Sequence, residues 1–153
     1  MDASFASFDD DDWAHALGGI HVIVEEADRP VSHAAVVGRV LGVDGRTLRT
    51  GYVEAVCTAL AHRSRGHASA VMREVGRVVQ GSYELGALGT GIHGFYTRFG
   101  WERWEGPTSV RTVSGREPTP KNDGGVMILR TPATERLDLR AGLSCEWRAG
   151  SVW

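Results

Sequence analysis

GYVEAVCTALAHRSRGHA, residues 51–68, runs from an alternating apolar strand into a basic, glycine-containing loop. Beyond it Val71, Val75, Val78 and Val79 recur at helical spacing and predict an amphipathic helix. Within the loop, Arg63, Ser64, Arg65, Gly66, His67 and Ala68 combine two guanidinium groups with small residues at Gly66 and Ala68. Small residues let backbone N–H groups converge at a helix N-terminus, where the dipole favours an anion. The two arginines add charge-assisted donors. The spacing is neither a Walker loop nor GxGxxG. A strand, an anion-gripping loop and a helix are therefore expected in that order.

Outward from this unit, Asp9 to Leu17 reads as a short helix with Trp13, Ala16 and Leu17 inward, stopped by Gly18-Gly19. Strands are expected over Ile20–Glu25, Val31–Val43 and Thr47–Thr58, with Asp44-Gly45 as a hairpin turn. After the long helix come a strand at Leu85–Leu88, a helix from Gly94 to Phe99 and a strand at Val126–Leu129. Thr108 to Asn122 reads as a Pro/Gly-rich loop. Consecutive strands followed by helix, strand, helix and strand give an α+β class in one domain, residues 1–153.

Composition narrows the function. The chain carries 17 Lys+Arg against 19 Asp+Glu, a net charge of -2, so it lacks the basic excess of a bulk polyanion binder. No apolar run reaches the roughly 20 residues of a membrane span, and the start shows no secretory signal. A cytoplasmic protein acting on small molecules, without nucleic acid or membrane, is the expectation. Cys57 and Cys145 make no disulfide framework, and Cys57 is read as a buried free thiol. Six histidines show no HxxxH or HExxH spacing, so no metal site is expected.

Three further segments bear on chemistry. Alternation places Tyr52, Glu54 and Val56 on one face of the strand and Val53, Ala55 and Cys57 on the other. An acid in so apolar a strand needs water or a partner; Glu54 is either a site residue or a surface acid at an edge. Phe95 and Phe99 suit packing, and Tyr96 between them is either core or catalytic. The ending Cys145-Glu146-Trp147-Arg148-Ala149-Gly150-Ser151-Val152-Trp153 has two tryptophans, too apolar for an idle tail, and is expected to fold back.

DWAHALGGIH, GYVEAV, the RSRGHA loop, SYELGALG, FYTRFGW, GPTSV and CEWRAGSVW together make the chain, from about Phe5 to Trp153, resemble the aminoglycoside 2'-N-acetyltransferases of the GCN5-related N-acetyltransferase (GNAT) superfamily. The resemblance implies a GNAT fold: a mixed, mostly antiparallel sheet splayed between its fourth and fifth strands and flanked by helices. It implies acetyl-coenzyme A as donor, an aminoglycoside as substrate, antibiotic resistance as the outcome, and a homodimer.

Residue by residue, it makes Glu54 the general base and Tyr96 the general acid. Val56 and Thr58 become the acetyl and pantetheine contacts, and Arg63, Ser64, Arg65, Gly66, His67 and Ala68 the pyrophosphate cradle. Asp12, Glu54 and the Trp153 carboxylate become substrate contacts. Four departures bear on the substrate: Ser7, Asn122 and Ser151 stand where the pattern for deoxystreptamine antibiotics has acids, and Gly89 stands for a serine. These point to an aminoglycoside with fewer amines, of the kasugamycin kind. The competing expectations are a broad enzyme for deoxystreptamine antibiotics of the gentamicin and tobramycin type, a GNAT enzyme for another small amine, and a non-catalytic acyl-coenzyme A sensor.

Overall fold

The computed structural model describes residues 10–153, and of residues 11–13 the backbone alone. Helix α1 (Asp10–Ala16) leads into β1 (Ile20–Glu26), β2 (Arg29–Val43) and β3 (Arg46–Thr58). Both connections are two-residue hairpins: Ala27 and Asp28 join β1 to β2, Asp44 and Gly45 join β2 to β3, and all four have positive φ. That is the turn whose twist suits antiparallel strands. Of the residues expected to face inward from α1, Ala16 is buried, but Leu17 is exposed beyond the helix end.

A 3-10 turn at Leu60–His62 precedes helix α2 (His67–Ser82), then β4 (Leu85–Gly89) and the short α3 (His93–Thr97). The remaining strands are β5 (Glu102–Arg103), β6 (Thr108–Thr112), β7 (Gly115–Pro118), β8 (Val126–Arg130) and β9 (Leu143–Glu146). They join one sheet in the order β5-β8-β4-β3-β2-β9-β6-β7, with β1 paired to β2. Among the described residues, only β3–β4 and β6–β9 are parallel. The splay expected between the fourth and fifth strands lies between the third and fourth described strands, β3 and β4. Their ladder holds only from Thr50–Leu85 to Tyr52–Ala87, and beyond it the two strands part.

The segment read as a loop over 108–122 instead forms the β6–β7 hairpin, followed by a 3-10 turn at Pro120–Asn122. Its strand signal was hidden because β6 is fixed by parallel pairing with β9, far along the chain. Asp123 Oδ1 also accepts from the Thr108 N–H and hydroxyl, both at 2.8 Å.

The sheet has a core on each face. Val71, Met72, Val75 and Val79 of α2 pack with Val36, Val53, Leu88 and Trp101 on one face. Each fully buried side chain of this size contributes about 1.5–3 kcal/mol. On the other face lie Leu41, Leu48, Tyr52, Trp104, Leu143 and Trp153. Gly86 of β4 lets α2 approach closely, since a Cβ there would stand 3.1 Å from Val79 Cγ1 and 3.0 Å from Trp101 Cη2.

Candidate active site

One extra residue in β3 organises the site. Opposite β2, His33 faces Cys57 while Ala35 faces Glu54, so three steps on β3 match two on β2. The bulge sits at Ala55, whose φ is 53°. Such an insertion interrupts the two-residue alternation. Tyr52 keeps to the Trp153 core while Val56 joins Val53 on the α2 side, so Glu54 and Val56 do not share a face as strict alternation predicts. The buried His33 holds the bulge, its Nδ1–H donating to Ala55 O at 3.0 Å. His33 Nε2 lies 2.8 Å from His21 Nδ1, and a neutral His33 accepts there. Burial keeps its pKa below the usual histidine value, against the opposing pull of the Ala55 hydrogen bond.

Where β3 and β4 part, a cleft of about 490 Å³ opens. Val56, Thr58, Arg63, Ser64, Gly66, His67 and Ala68 all line it, with Tyr96 at the opposite wall. The β3–β4 ladder ends at Tyr52, so the edge of β3 facing β4 is outside the ladder at Val56. Thr58 is already engaged within the chain: its carbonyl accepts from Arg63 Nε at 3.3 Å and its hydroxyl meets Ser32 Oγ at 2.8 Å.

Gly66 caps α2 at φ 84°, with no side-chain cap and no acid in the first turn. Ala70 N–H reaches Gly66 O, leaving the amides of His67, Ala68 and Ser69 as the unpaired first turn that every helix has. An uncapped N-terminus at the mouth of a long cleft, with Arg63 on its wall, fits a diphosphate followed by an extended arm. Arg65 is the exception in the cradle, because its Nη1 turns to Glu26 Oε2 at 3.4 Å. The same carboxylate lies 2.5 Å from His62 Nδ1 and 4.0 Å from His67 Nε2. These three residues bring metal-ligand atoms within 4.8 Å at a spacing that no HxxxH search would flag. The Arg65 cation already faces that carboxylate.

Tyr96 is buried, and burial raises its phenol above the usual tyrosine range, with a Thr90 hydrogen bond pulling the other way. It therefore stays protonated at neutral pH and can give a proton up only to a strong base. Cys57, expected to be a buried thiol, is half-buried on the cleft wall. Burial pushes its thiol up, which disfavours a thiolate nucleophile.

On the other face, Glu54 Oε1 accepts from Arg148 Nη1 at 2.7 Å, both side chains about five-sixths buried. Arg148 and Arg39 lie over the Tyr52 ring, 5.5 and 4.7 Å from its centre. The Tyr52 hydroxyl is buried without a hydrogen-bond partner among the described residues. Burial first, and then the Glu54 charge, hold that phenol well above its ordinary pKa, with Arg39 and Arg148 opposing.

The tail folds back as expected, bringing its end to this place. A Cβ on Gly89 would stand 3.4 Å from Tyr52 Oη and 3.5 Å from the Trp153 carbonyl carbon. Ser151 Oγ donates to Trp153 O at 2.5 Å, and Trp153 Nε1 to Thr119 Oγ1 at 2.9 Å. Asn122 closes the turn that begins at Thr119, its N–H donating to Thr119 O. Glu54, Gly89, Ser151 and Trp153 thus converge, with Asn122 one turn from the Trp153 ring. Ser7 and the side chain of Asp12 lie outside the described residues.

Sequence reasoning missed Arg148, Arg39 and Tyr52. Tyr52 carries a signal, since it shares a face with Glu54 two residues away. The arginines carry none, because their partners lie 94 and 107 residues off.

An acetyltransferase (GNAT) domain family matches residues 7–104. The sequence is 43% identical to the aminoglycoside 2'-N-acetyltransferase of Mycolicibacterium fortuitum, an alignment covering 100% of this chain and 80% of that protein. Among solved structures, the GNAT family N-acetyltransferase YhbS from Escherichia coli, a complex with CoA, superposes with a TM-score of 0.70 at 15% identity, covering 94% of this chain and 79% of that one. A GCN5-related N-acetyltransferase from Kribbella flavida gives 0.52 at 25% identity over 57% of this chain, which spans only 22% of that larger protein.

Proposed function

Because this chain belongs to the GNAT acetyltransferases and, among them, to the aminoglycoside 2'-N-acetyltransferase family, we propose that it acetylates the 2'-amine of an aminoglycoside carrying few amines. The kasugamycin kind, with an uncharged inositol in place of deoxystreptamine, fits best. Acetyl-coenzyme A is the donor. The observation that carries the substrate reading is the charge around Glu54: the carboxylate already has a cationic partner in Arg148, while Asn122 and Ser151 add no acid nearby. A hydrogen bond to a charged group is worth about 1.5–3 kcal/mol. Missing acids at Ser7, Asn122 and Ser151 together remove several kcal/mol of attraction for a polycation, about a hundred-fold or more in affinity.

In this reading the diphosphate sits on the α2 amides of His67 and Ala68 beside Arg63, which fixes where the thioester lies along β3. The bound thioester supplies the acetyl group. The Val56 N–H donates to its carbonyl oxygen and polarises it. Glu54 takes a proton from the amine, through an ordered water, as the amine attacks; a positioned base contributes about 10²–10⁴-fold. The Tyr96 hydroxyl holds the proton that the departing sulfur takes up. Cys57 has no part, so transfer is direct. Trp153 and Asp12 contact further amines of the substrate. Action as a cytoplasmic homodimer that confers resistance completes the proposal.

A thiol-release assay with acetyl-coenzyme A and a panel of kasugamycin, gentamicin, tobramycin and a polyamine tests it. Turnover with kasugamycin well above the others is expected. Equal turnover of gentamicin would overturn the few-amine reading, and turnover with the polyamine alone would overturn aminoglycoside acetylation.

A further inference from the structure

Glu54 is the acid on which the proposed chemistry turns, and it does not stand alone. Arg148 Nη1 donates to its Oε1 at 2.7 Å, and the pair is largely shielded from water. The guanidinium is itself fixed on both sides. Its Nε donates to Ser151 O at 2.7 Å, and its carbon lies 5.5 Å from the centre of the Tyr52 ring.

The chain carrying Arg148 is pinned from three elements. Arg39 of β2, buried, donates from Nη2 to Glu146 O at 3.0 Å and from Nη1 to Val152 O at 2.8 Å. The Trp147 N–H reaches Arg111 O on β6 at 3.1 Å. His15 Nε2 of α1 lies 2.8 Å from Ala149 O. A flexible arginine on a free tail would spend side-chain entropy to hold one carboxylate. Here the backbone on either side of Arg148 is already immobile, so little remains to be lost.

We propose that Arg148 is a positioning residue: it fixes the Glu54 carboxylate through Oε1 and leaves Oε2 as the atom that accepts the substrate's proton. A second consequence follows from the charge. An ammonium arriving at Oε1 would meet the guanidinium, so the acceptor amine reaches Glu54 only from the Oε2 side. Arg148 therefore occupies one of the places where a more cationic aminoglycoside would gain an ion pair. The inference rests on the reading of Glu54 as the base and of the substrate as a weakly cationic aminoglycoside.

The test compares Arg148→Ala and Arg148→Lys with the unaltered enzyme in the thiol-release assay. For Arg148→Ala, kcat falls about 10- to 100-fold, the scale set by a small misplacement of a reacting group, while calorimetric acetyl-coenzyme A binding is unchanged. Millimolar guanidinium chloride restores part of the lost kcat, and Arg148→Lys lies between Ala and the parent. A residue that only braced the tail would lose kcat in step with melting temperature and would not respond to guanidinium; that result, or an unchanged kcat, overturns the proposal.

Should the parent enzyme turn over no aminoglycoside, the function reading fails on its own. The pairing is then judged by urea unfolding of Arg148→Ala, Glu54→Gln and the double variant. Strongly non-additive losses support a fixed pair, and additive losses overturn it.

Discussion

Tyr52 sits under two guanidinium groups with its hydroxyl buried and unpartnered, and Tyr52→Phe removes that hydroxyl while keeping the ring. An unsatisfied buried polar group costs about 1–3 kcal/mol, and the phenyl ring still offers its face to Arg39 and Arg148. The variant is therefore expected to gain about 1–2 kcal/mol, partly offset by the small void that remains. For a chain of this length 1 kcal/mol moves the melting temperature by roughly 2–4 °C, so a rise of a few degrees should be read by differential scanning calorimetry. The hydroxyl also lies next to the space where Gly89 and Trp153 approach each other. If it is kept unpaired for a substrate group, the KM for the aminoglycoside rises several-fold while acetyl-coenzyme A binding is unchanged. A Tyr52→Phe enzyme that melts lower, or that melts higher with an unchanged acceptor KM, would refute the reasoning.

Glu54→Gln should lower turnover at neutral pH by about 10²–10⁴-fold, with a smaller loss at alkaline pH where the amine is already free; a pH-independent loss in rate profiles would make Glu54 a binding group only. Tyr96→Phe should slow turnover while calorimetry finds the donor bound as before, and a matching loss of donor affinity would return Tyr96 to a packing role. Gly66→Ala has room for its methyl but not the backbone, since nothing lies within 4 Å yet φ is 84°; about 1–2 kcal/mol of left-handed strain should appear as lower stability or weaker donor binding, and Gly66→Asn should recover most of it. Because folded His33 binds a proton less readily than the unfolded chain does, the unfolded state holds more protons just below pH 6.5. Stability should thus fall as pH drops below about 6.5, and urea unfolding of His33→Gln should show a flatter profile.

The unit that decided the fold was legible because its signals are local. Val71, Val75 and Val79 repeat at one helical face, Gly66 marks the left-handed cap, and Asp44-Gly45 spells its turn. The bulge was not legible, because Ala55 carries no mark of a positive φ; what selects it is His33 on the neighbouring strand. The same slip moved Val56 to the face opposite Glu54. Arg65 reads as a phosphate ligand by composition, yet Glu26, on a strand that ends 39 residues earlier, draws it away. The β6–β7 hairpin and the Glu54–Arg148 pair both depend on partners distant in sequence, which no window of neighbouring residues contains.

The single inserted residue at Ala55 has an evolutionary side. By turning the strand over between Glu54 and Val56, it places the proposed grip on the donor and the proposed acceptor pocket on separate surfaces built from separate parts of the chain. The first depends on one loop and one helix, the second on the distant hairpin and tail. Under that proposal, side chains of the acceptor wall can change without disturbing the loop and helix that hold the donor.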